Sequence, residues 1–483
     1  RKLTSAEEAV RIVRSGDRVV IPLLVQPKLL PPALAARKDE LKNVTIVTCA
    51  PASNPGWLQE GWQDSFQVKL ELFIGNIARP ASNAKLTDYV PVLFSHQFKS
   101  FDERPDERKE IDVVMTVVSP PNEHGFCTFG GHMWNKRTYV KRAKKVIVEV
   151  SENEIRAHGN NYIHVSEIDA FVEHTPAVLT PEDLQAMTEP LQPAERDKIR
   201  EMMTYLDQEV WADSLPILLP LNYKQLDELA NTLGLCEPDE VVRAIGEHLS
   251  KLVKDGDTLQ VGVGGTTGHM PMLGVFNSKL DLGLHTEMGA RGLGRLVRDG
   301  VITGKRKTIH QGKAIASTWS GCDGEDFKII DDNPLFELYD SQYVVNVRTV
   351  SSNDNMTAIN NAIAVDLTGQ INSETIFGPN MFNGTGGQPE MVLGAVLSKG
   401  GKSIHLLPST AQGGGVSRIT PLLEAGSVVT IPRTFADYVV TEWGVAKLLG
   451  KSCRERAEEL IAVAHPDFRE GLRKEARNLL YPN

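Results

Sequence analysis

Two stretches, IVRSGDRVVIPL (Ile12 to Leu23) and LVKDGDTLQVGV (Leu252 to Val263), decide how this chain is read. Laid over one another at an offset of 240 residues, they share Val13 with Val253, Gly16 with Gly256 and Asp17 with Asp257. Each ends an amphipathic run, turns through Gly-Asp and enters an apolar strand, which is how a helix feeds a sheet. Ahead of the first copy, Thr4 or Ser5 stands as an N-cap with glutamates three residues later. The offset is about half of the 483 residues, so the repeat predicts two tandem α/β units. Two unrelated units sharing one turn type would produce the same match.

Length argues the same way, because 483 residues exceed what one hydrophobic core usually serves. The stretch from Leu179 to Asn222 carries prolines and charge without strand-like runs, which predicts a junction and two domains, 1–220 and 221–483. Both halves are punctuated by short apolar runs such as NVTIVTC (43–49), IDVVMTVV (111–118), TLQVGV (258–263) and SIHLLP (403–408). Continuous Val/Ile/Leu strands between helical patterns imply an α/β fold with mainly parallel sheets covered by helices. Open sheets of that kind bind ligands at the carboxyl ends of their strands.

Composition narrows the function classes. Apolar residues make up 41% of the chain and charged residues 24%, as in globular proteins. A formal charge of -10 gives no basic footprint, which argues against a nucleic-acid partner. The five cysteines lie far apart with no C-x-x-C pair, so neither a zinc site nor a disulfide framework is indicated and a reducing compartment fits. Glu123, His124 and Cys127 offer too few ligands for a metal, and none is expected. No apolar run approaches the roughly 18 to 20 residues that span a bilayer, so no membrane partner is expected. The first residues, RKLTSAEEAV, read as a helix rather than a signal peptide, and the missing initial Met leaves a processed N-terminus open. The expected location is the cytoplasm, an organelle matrix not being excluded.

The chemistry concentrates in LDLGLHTEMGARG, Leu280 to Gly292, an apolar strand that ends in a carboxylate and then breaks into glycines. Residues two apart on a strand share a face, so His285 and Glu287 project together. Three glycine-rich segments of the second half also follow apolar runs: 260–270, 381–391 and 408–418. Glycines let a ligand approach backbone N–H groups, which form anion-binding nests. None is a Walker loop or a complete dinucleotide fingerprint. A strand-end carboxylate beside such loops suits a nucleophile or base, while a plain surface glutamate in a βα loop has the same pattern.

With LHTEMGARGLGRLVRDGVITGKRKT, FNGTGGQPEM, LLPSTAQGGGVSRI and DYVVTEWGVAKLLGKSCRERAEELIAVAHPDFRE, the second half resembles the acetyl-CoA hydrolase/transferase group of family I CoA transferases. VVMTVVSPPNEHGFCTFG and YIHVSEIDAFVE extend the resemblance through the first half. It implies two tandem CoA-transferase-type α/β domains and a covalent catalyst at Glu287 in HTEMG. It places oxyanion donors and CoA contacts on Gly262, Val263, Gly264, Gly265 and Thr266, with Asn383 and Gly387 in NGTGGQ. Asn360 in AINNAIAVD matches the family's active-site asparagine, with Asn361 beside it as an alternative register. The implied substrates are a coenzyme A thioester and small carboxylic acids, acetate among the candidates. The resemblance further implies a homodimer and no tightly bound cofactor. An acyl-CoA hydrolase using the same glutamate, or a non-catalytic CoA-binding subunit, stays open at this point. The basic residues after the glutamate, Arg291, Arg295, Arg298, Lys305, Arg306 and Lys307, read either as phosphate contacts or as a solvated helix face.

Overall fold

A computed structural model describes residues 2–481 apart from Phe73 and Asp207. The two quoted stretches form one turn twice. Gly16 and Gly256 adopt φ of 86° and 79°, where a side chain is disfavoured. Asp17 and Asp257 each reach back three residues, accepting from the N–H groups of Arg14 at 2.8 Å and Lys254 at 2.9 Å. The carbonyls of Asp17 and Asp257 then accept from Thr45 and Gly283, locking the turn to the neighbouring strand.

From these turns grow two sheets of one design. The first has strands β1 (Arg18–Ile21), β2 (Val44–Thr48), β3 (Phe66–Glu71), β4 (Thr87–Val90), β5 (Ile111–Val118), β6 (Ala143–Val150) and β7 (Ala170–Glu173). Their order is β7-β6-β5-β1-β2-β3-β4, every pair parallel. The second has β8 (Thr258–Val261), β9 (Gly283–Ala290), β10 (Ala314–Gly321), β11 (Phe336–Leu338), β12 (Met356–Asn361), β13 (Lys402–Leu406), β14 (Tyr438–Thr441) and β15 (Gly444–Lys447). Its order, β15-β14-β13-β12-β8-β9-β10-β11, repeats the first with one antiparallel strand added. In both, the first strand sits centrally and the chain winds outward from it in two directions, creating a topological switch point.

The halves are interlocked. A short strand from the first half, His158–Gly159, pairs with Glu337 and Leu338 of β11 and becomes the edge of the second sheet. One face of the first sheet buries Val19, Ile46 and Phe66 under its own helices. Its other face shares a core with the second half, where Val20, Val114 and Phe129 join Leu259, Leu284 and Trp319. A further cluster mixes Leu23, Leu72 and Trp134 with Val344, Val345 and Met391.

Between the halves run four helices, α1 (Pro181–Thr188), α2 (Pro193–Met203), α3 (Gln208–Leu218) and α4 (Tyr223–Leu233). Capping boxes at Thr180 and Asn222 start the first and last, and Leu184, Ile199, Met202, Leu215 and Leu226 give them a core of their own. A boundary at residue 220 therefore falls between α3 and α4, inside this helical unit. Helix α5 (Glu240–Leu252), capped by Asp239, then leads into the second Gly-Asp turn. Among the described residues no helix is long and apolar enough to cross a membrane.

Candidate active site

Strand register brings the expected residues together. Leu259 of β8 pairs with Leu284 of β9, and Val261 pairs with Ile359 of β12. Continued along parallel strands, this pairing sets Gly262 between Glu287 on one side and Asn360 on the other, all projecting from one face of the sheet. The row stands at the carboxyl ends of the three strands that form the switch point, where ligands of such sheets bind.

Gly262 begins the first glycine loop. A Cβ there would stand 3.2 Å from the Ile359 carbonyl and 3.5 Å from Asn360 Oδ1, a tight fit that glycine relieves. Asn360 exchanges two hydrogen bonds with Gln260, giving Nδ2–H at 3.0 Å and accepting at 3.2 Å, which fixes its amide within the sheet. It is Asn361 that holds the loop. Its Nδ2 donates to the Val263 carbonyl at 3.0 Å and to Thr267 Oγ1 at 2.7 Å, and its Oδ1 accepts from the Thr267 N–H at 3.1 Å. Gly264 takes φ 127°, Val263 is exposed, and Thr266 turns inward.

The second glycine loop closes over Glu287 from the other direction. Gly387 precedes helix α6 (Gln388–Leu397), and a methyl group on it would overlap Glu287 Oε2, so a side chain there would push the carboxylate aside. Gln388 Nε2 donates to the Asn361 carbonyl at 3.0 Å, tying this loop to the first. Asn383 gives its N–H to the Glu374 carbonyl at 3.0 Å. The first half grips the loop as well. Arg79 donates to the Phe382 carbonyl at 2.8 Å and lies over its ring, and the Thr385 N–H donates to Tyr89 Oη at 3.1 Å. The third loop, 408–418, leaves β13 on the far side of β12, and Ser409 is fastened to Glu442 and Trp443.

Glu287 is partly open to solvent at the site floor yet surrounded by protein. Burial pushes its carboxyl up to about 8, with the charge of Glu390 adding to the rise and the Gly387 backbone opposing it. Glu390, in the first turn of α6, is itself pushed up to about 7 by burial, against hydrogen bonds from Ser95 and the Phe94 backbone. His285 does share the face of Glu287, but it packs: its Nε2 meets the Val344 carbonyl at 2.7 Å, and burial lowers it to about 3, so the ring is neutral. The basic residues after the glutamate are largely engaged within the protein. Arg291 and Arg295 pair with Asp323 at 2.7 and 2.8 Å, while Lys307 is buried and donates to the carbonyls of Leu284 and Lys313.

Beside the first glycine loop opens a cavity of about 660 Å³. Its walls come from all three parts of the chain: Leu24 and Gln26 from the first half, Tyr205 and Leu235 from the helical region, Val263 and Arg291 from the second half. Arg291 lies 4.8 Å over the Tyr205 ring, linking the end of the glutamate strand to α2's flank. Such a space at a junction, apolar with a few polar groups, is the usual form of a small-molecule site.

Sequence reasoning missed Glu390, Gln260 and the anchoring role of Asn361. Strand parity would have separated the two asparagines, since only Asn360 falls in the row with Gly262. No local pattern announces Glu390, whose partner Ser95 lies 295 residues away.

Residues 1–180 match the family model of the acetyl-CoA hydrolase/transferase N-terminal domain, and residues 325–476 match that of the C-terminal domain. The chain is 37% identical to the 4-hydroxybutyrate coenzyme A transferase of Clostridium kluyveri, over 98% of this chain and 97% of the relative. It is 34% identical to the succinyl-CoA:cyclohexane-1-carboxylate CoA transferase of Geobacter metallireducens, over 99% and 96%. Among solved structures, the 4-hydroxybutyrate CoA-transferase of Porphyromonas gingivalis superposes with a TM-score of 0.69 at 29% identity, covering 99% of this chain and 97% of that one.

Proposed function

Since the chain belongs to the acetyl-CoA hydrolase/transferase family and is a CoA transferase, we propose that it moves CoA between an acyl-CoA and a free carboxylate through covalent work by Glu287. The observation that carries the reading is the row Glu287–Gly262–Asn360 at the switch point, with the bare backbone of Gly387 against the carboxylate.

In the first step a Glu287 oxygen attacks the thioester carbonyl. The tetrahedral adduct collapses by breaking the C–S bond, which leaves an acyl-glutamyl anhydride and CoA thiolate. The thiolate then attacks the glutamyl carbonyl and expels the first carboxylate, so CoA is held as a glutamyl thioester. A second acid runs both steps backwards and leaves with CoA. Atoms and charge balance throughout, and the thioester bond energy is conserved in a ping-pong cycle.

The local electrostatics suit this chemistry. A carboxylate is ordinarily a far weaker base than a thiolate, whose conjugate acid lies at about 8.5. Burial brings Glu287 to about 8, which narrows the gap and makes attack and expulsion comparable. Each adduct carries an oxyanion. Backbone N–H groups of Gly387 and of Val263, Gly264, Gly265 and Thr266 are the proposed pool of donors, the Gly262 N–H being given to the Ile359 carbonyl at 2.8 Å; each donor that reaches the oxyanion contributes about 3 kcal/mol in a sheltered site. The neighbouring cavity is the proposed seat of the CoA thioester, and Asn383 helps shape its loop. Asn360 is proposed to orient the reacting carbonyl from the opposite side of the row. The reaction as written requires no metal or tightly bound cofactor. Acetate is a proposed partner acid, and the working form is proposed to be a cytoplasmic homodimer.

The test is to incubate wild type and Glu287→Gln with acetyl-CoA, quench, and locate the adduct by mass spectrometry. CoA attached to Glu287 in the wild type, its absence in the variant and a turnover loss of about 10³-fold or more are expected. Transfer retained in the variant sinks the assignment. CoA release independent of any added acid would instead identify a hydrolase, in which water resolves the same intermediate.

A further inference from the structure

Helix α6 carries a buried carboxylate that the reaction scheme does not use. Glu390 is 1% exposed and stands one turn beyond Gly387, the residue whose backbone touches Glu287. Its oxygens accept from the Ser95 N–H at 3.1 and 3.4 Å, so the first half holds it in place. Among the described residues no lysine or arginine forms an ion pair with it. A buried carboxylate without a cation is costly and rarely kept without use.

We infer that Glu390 is a positioning residue for CoA transfer: in its ionised form, beside Glu287, it makes the free carboxylate of Glu287 unfavourable and the uncharged anhydride and thioester forms favourable. The inference rests on the reading of Glu287 as nucleophile. Its physical basis is that acylation removes the Glu287 charge. Repulsion between the two groups is therefore present in the resting enzyme and absent from both covalent intermediates, which lowers the climb to each. Like charges sharing a sheltered site also raise each other's proton affinity, so the pair titrates as a unit.

The other groups around Glu287 do not supply this effect. On its own strand His285 is neutral, and Lys307 lies back toward the strand's start, held by the Leu284 and Lys313 carbonyls. Glu374, ahead of the 381–391 loop, accepts from the hydroxyl of Thr385, whose N–H meets the hydroxyl of Tyr89 from the first half. From the same quarter Arg79 is directed to the Phe382 carbonyl. Beyond β11, the apolar Val345 packs against Gly387. Among the described residues, Glu390 is the charged group that adds to the rise at Glu287 after burial itself.

Glu390→Gln removes the charge while an amide oxygen still accepts from Ser95. Glu390→Asp keeps the charge. The measurement is the rate and extent of CoA loading on Glu287 in quenched mixtures from pH 5.5 to 9. For Glu390→Gln, the acid limb of kcat/KM should move down by about one pH unit, and the plateau loading rate and the loaded fraction should fall about tenfold. Glu390→Asp should hold the wild-type limb. A limb unmoved in Glu390→Gln, or one moved equally in both variants, overturns the inference and leaves Glu390 a purely structural clamp. Failure of the wild type itself to load CoA on Glu287 would overturn the nucleophile reading instead, so the two failures are distinct.

Discussion

The two sheets repeat one strand order, yet their switch points are furnished in opposite ways. In the second half the row is Glu287, Gly262 and Asn360; the register that pairs Val19 with Ile46 and Val113 puts Cys49, Pro22 and Thr116 in the matching places of the first half. There the loop after β1 contains no glycine. Gln26 fills it, donating to the Pro22 carbonyl and Thr48 Oγ1 and accepting from the Ala52 N–H. Glu149, at the end of β6, accepts from the N–H groups of Lys28, Leu29 and Leu30 at 3.0, 2.7 and 2.8 Å. One carboxylate is left with poor stabilisation and the other is saturated with donors. The fold supplies an address for chemistry twice, and residue choice decides which copy is used.

The largest break in this contrast should come from Gly387→Ala. The added methyl overlaps the Glu287 carboxylate, so kcat should drop about 100-fold while circular dichroism and melting temperature stay near wild type. Cys49→Ala, at the position matching Glu287, should leave kcat within about twofold. Next comes Glu149→Ala. Stranding three N–H groups, that of Leu30 buried and those of Lys28 and Leu29 partly so, should cost about 2–4 kcal/mol in denaturant unfolding, with activity per folded molecule kept. Loss of turnover without loss of stability would show that the first half's carboxyl edge takes part in the reaction.

The smallest effect concerns pH. Burial raises Glu287 from 4.5 to about 8, so the folded state binds its proton more tightly than the unfolded chain. The stability it contributes is full below the ordinary carboxylate range and is lost as pH climbs through the folded value. Glu287→Gln lacks that titration. Its melting temperature should match wild type near pH 5 and exceed it by about 2–4 °C at pH 9. A gap that shrinks toward high pH would mean that Glu287 is stabilised as the anion.

Much of this is legible in the sequence. The paired Gly-Asp turns foretold the repeated sheets, because that turn is local and its aspartate bonds three residues back. Glu287 and Gly262 were legible because both end apolar runs, and strand ends are where such sheets work. What stayed hidden depends on contacts between distant segments. Asn361 anchors a loop nearly 100 residues away, and Glu390 meets the backbone of the other half. The helical region was readable as a junction but not as a wall of the cavity, since Tyr205 and Leu235 acquire that role only through packing.

The stitched strand His158–Gly159 has a mechanical consequence. An enzyme whose lobes open like a clamshell needs a free seam, and here the seam is sewn by main-chain hydrogen bonds from one lobe into the outermost strand of the other. With the cavity beside the first glycine loop as the proposed seat of the thioester, the flank of the helical region at Tyr205 becomes one wall of that seat.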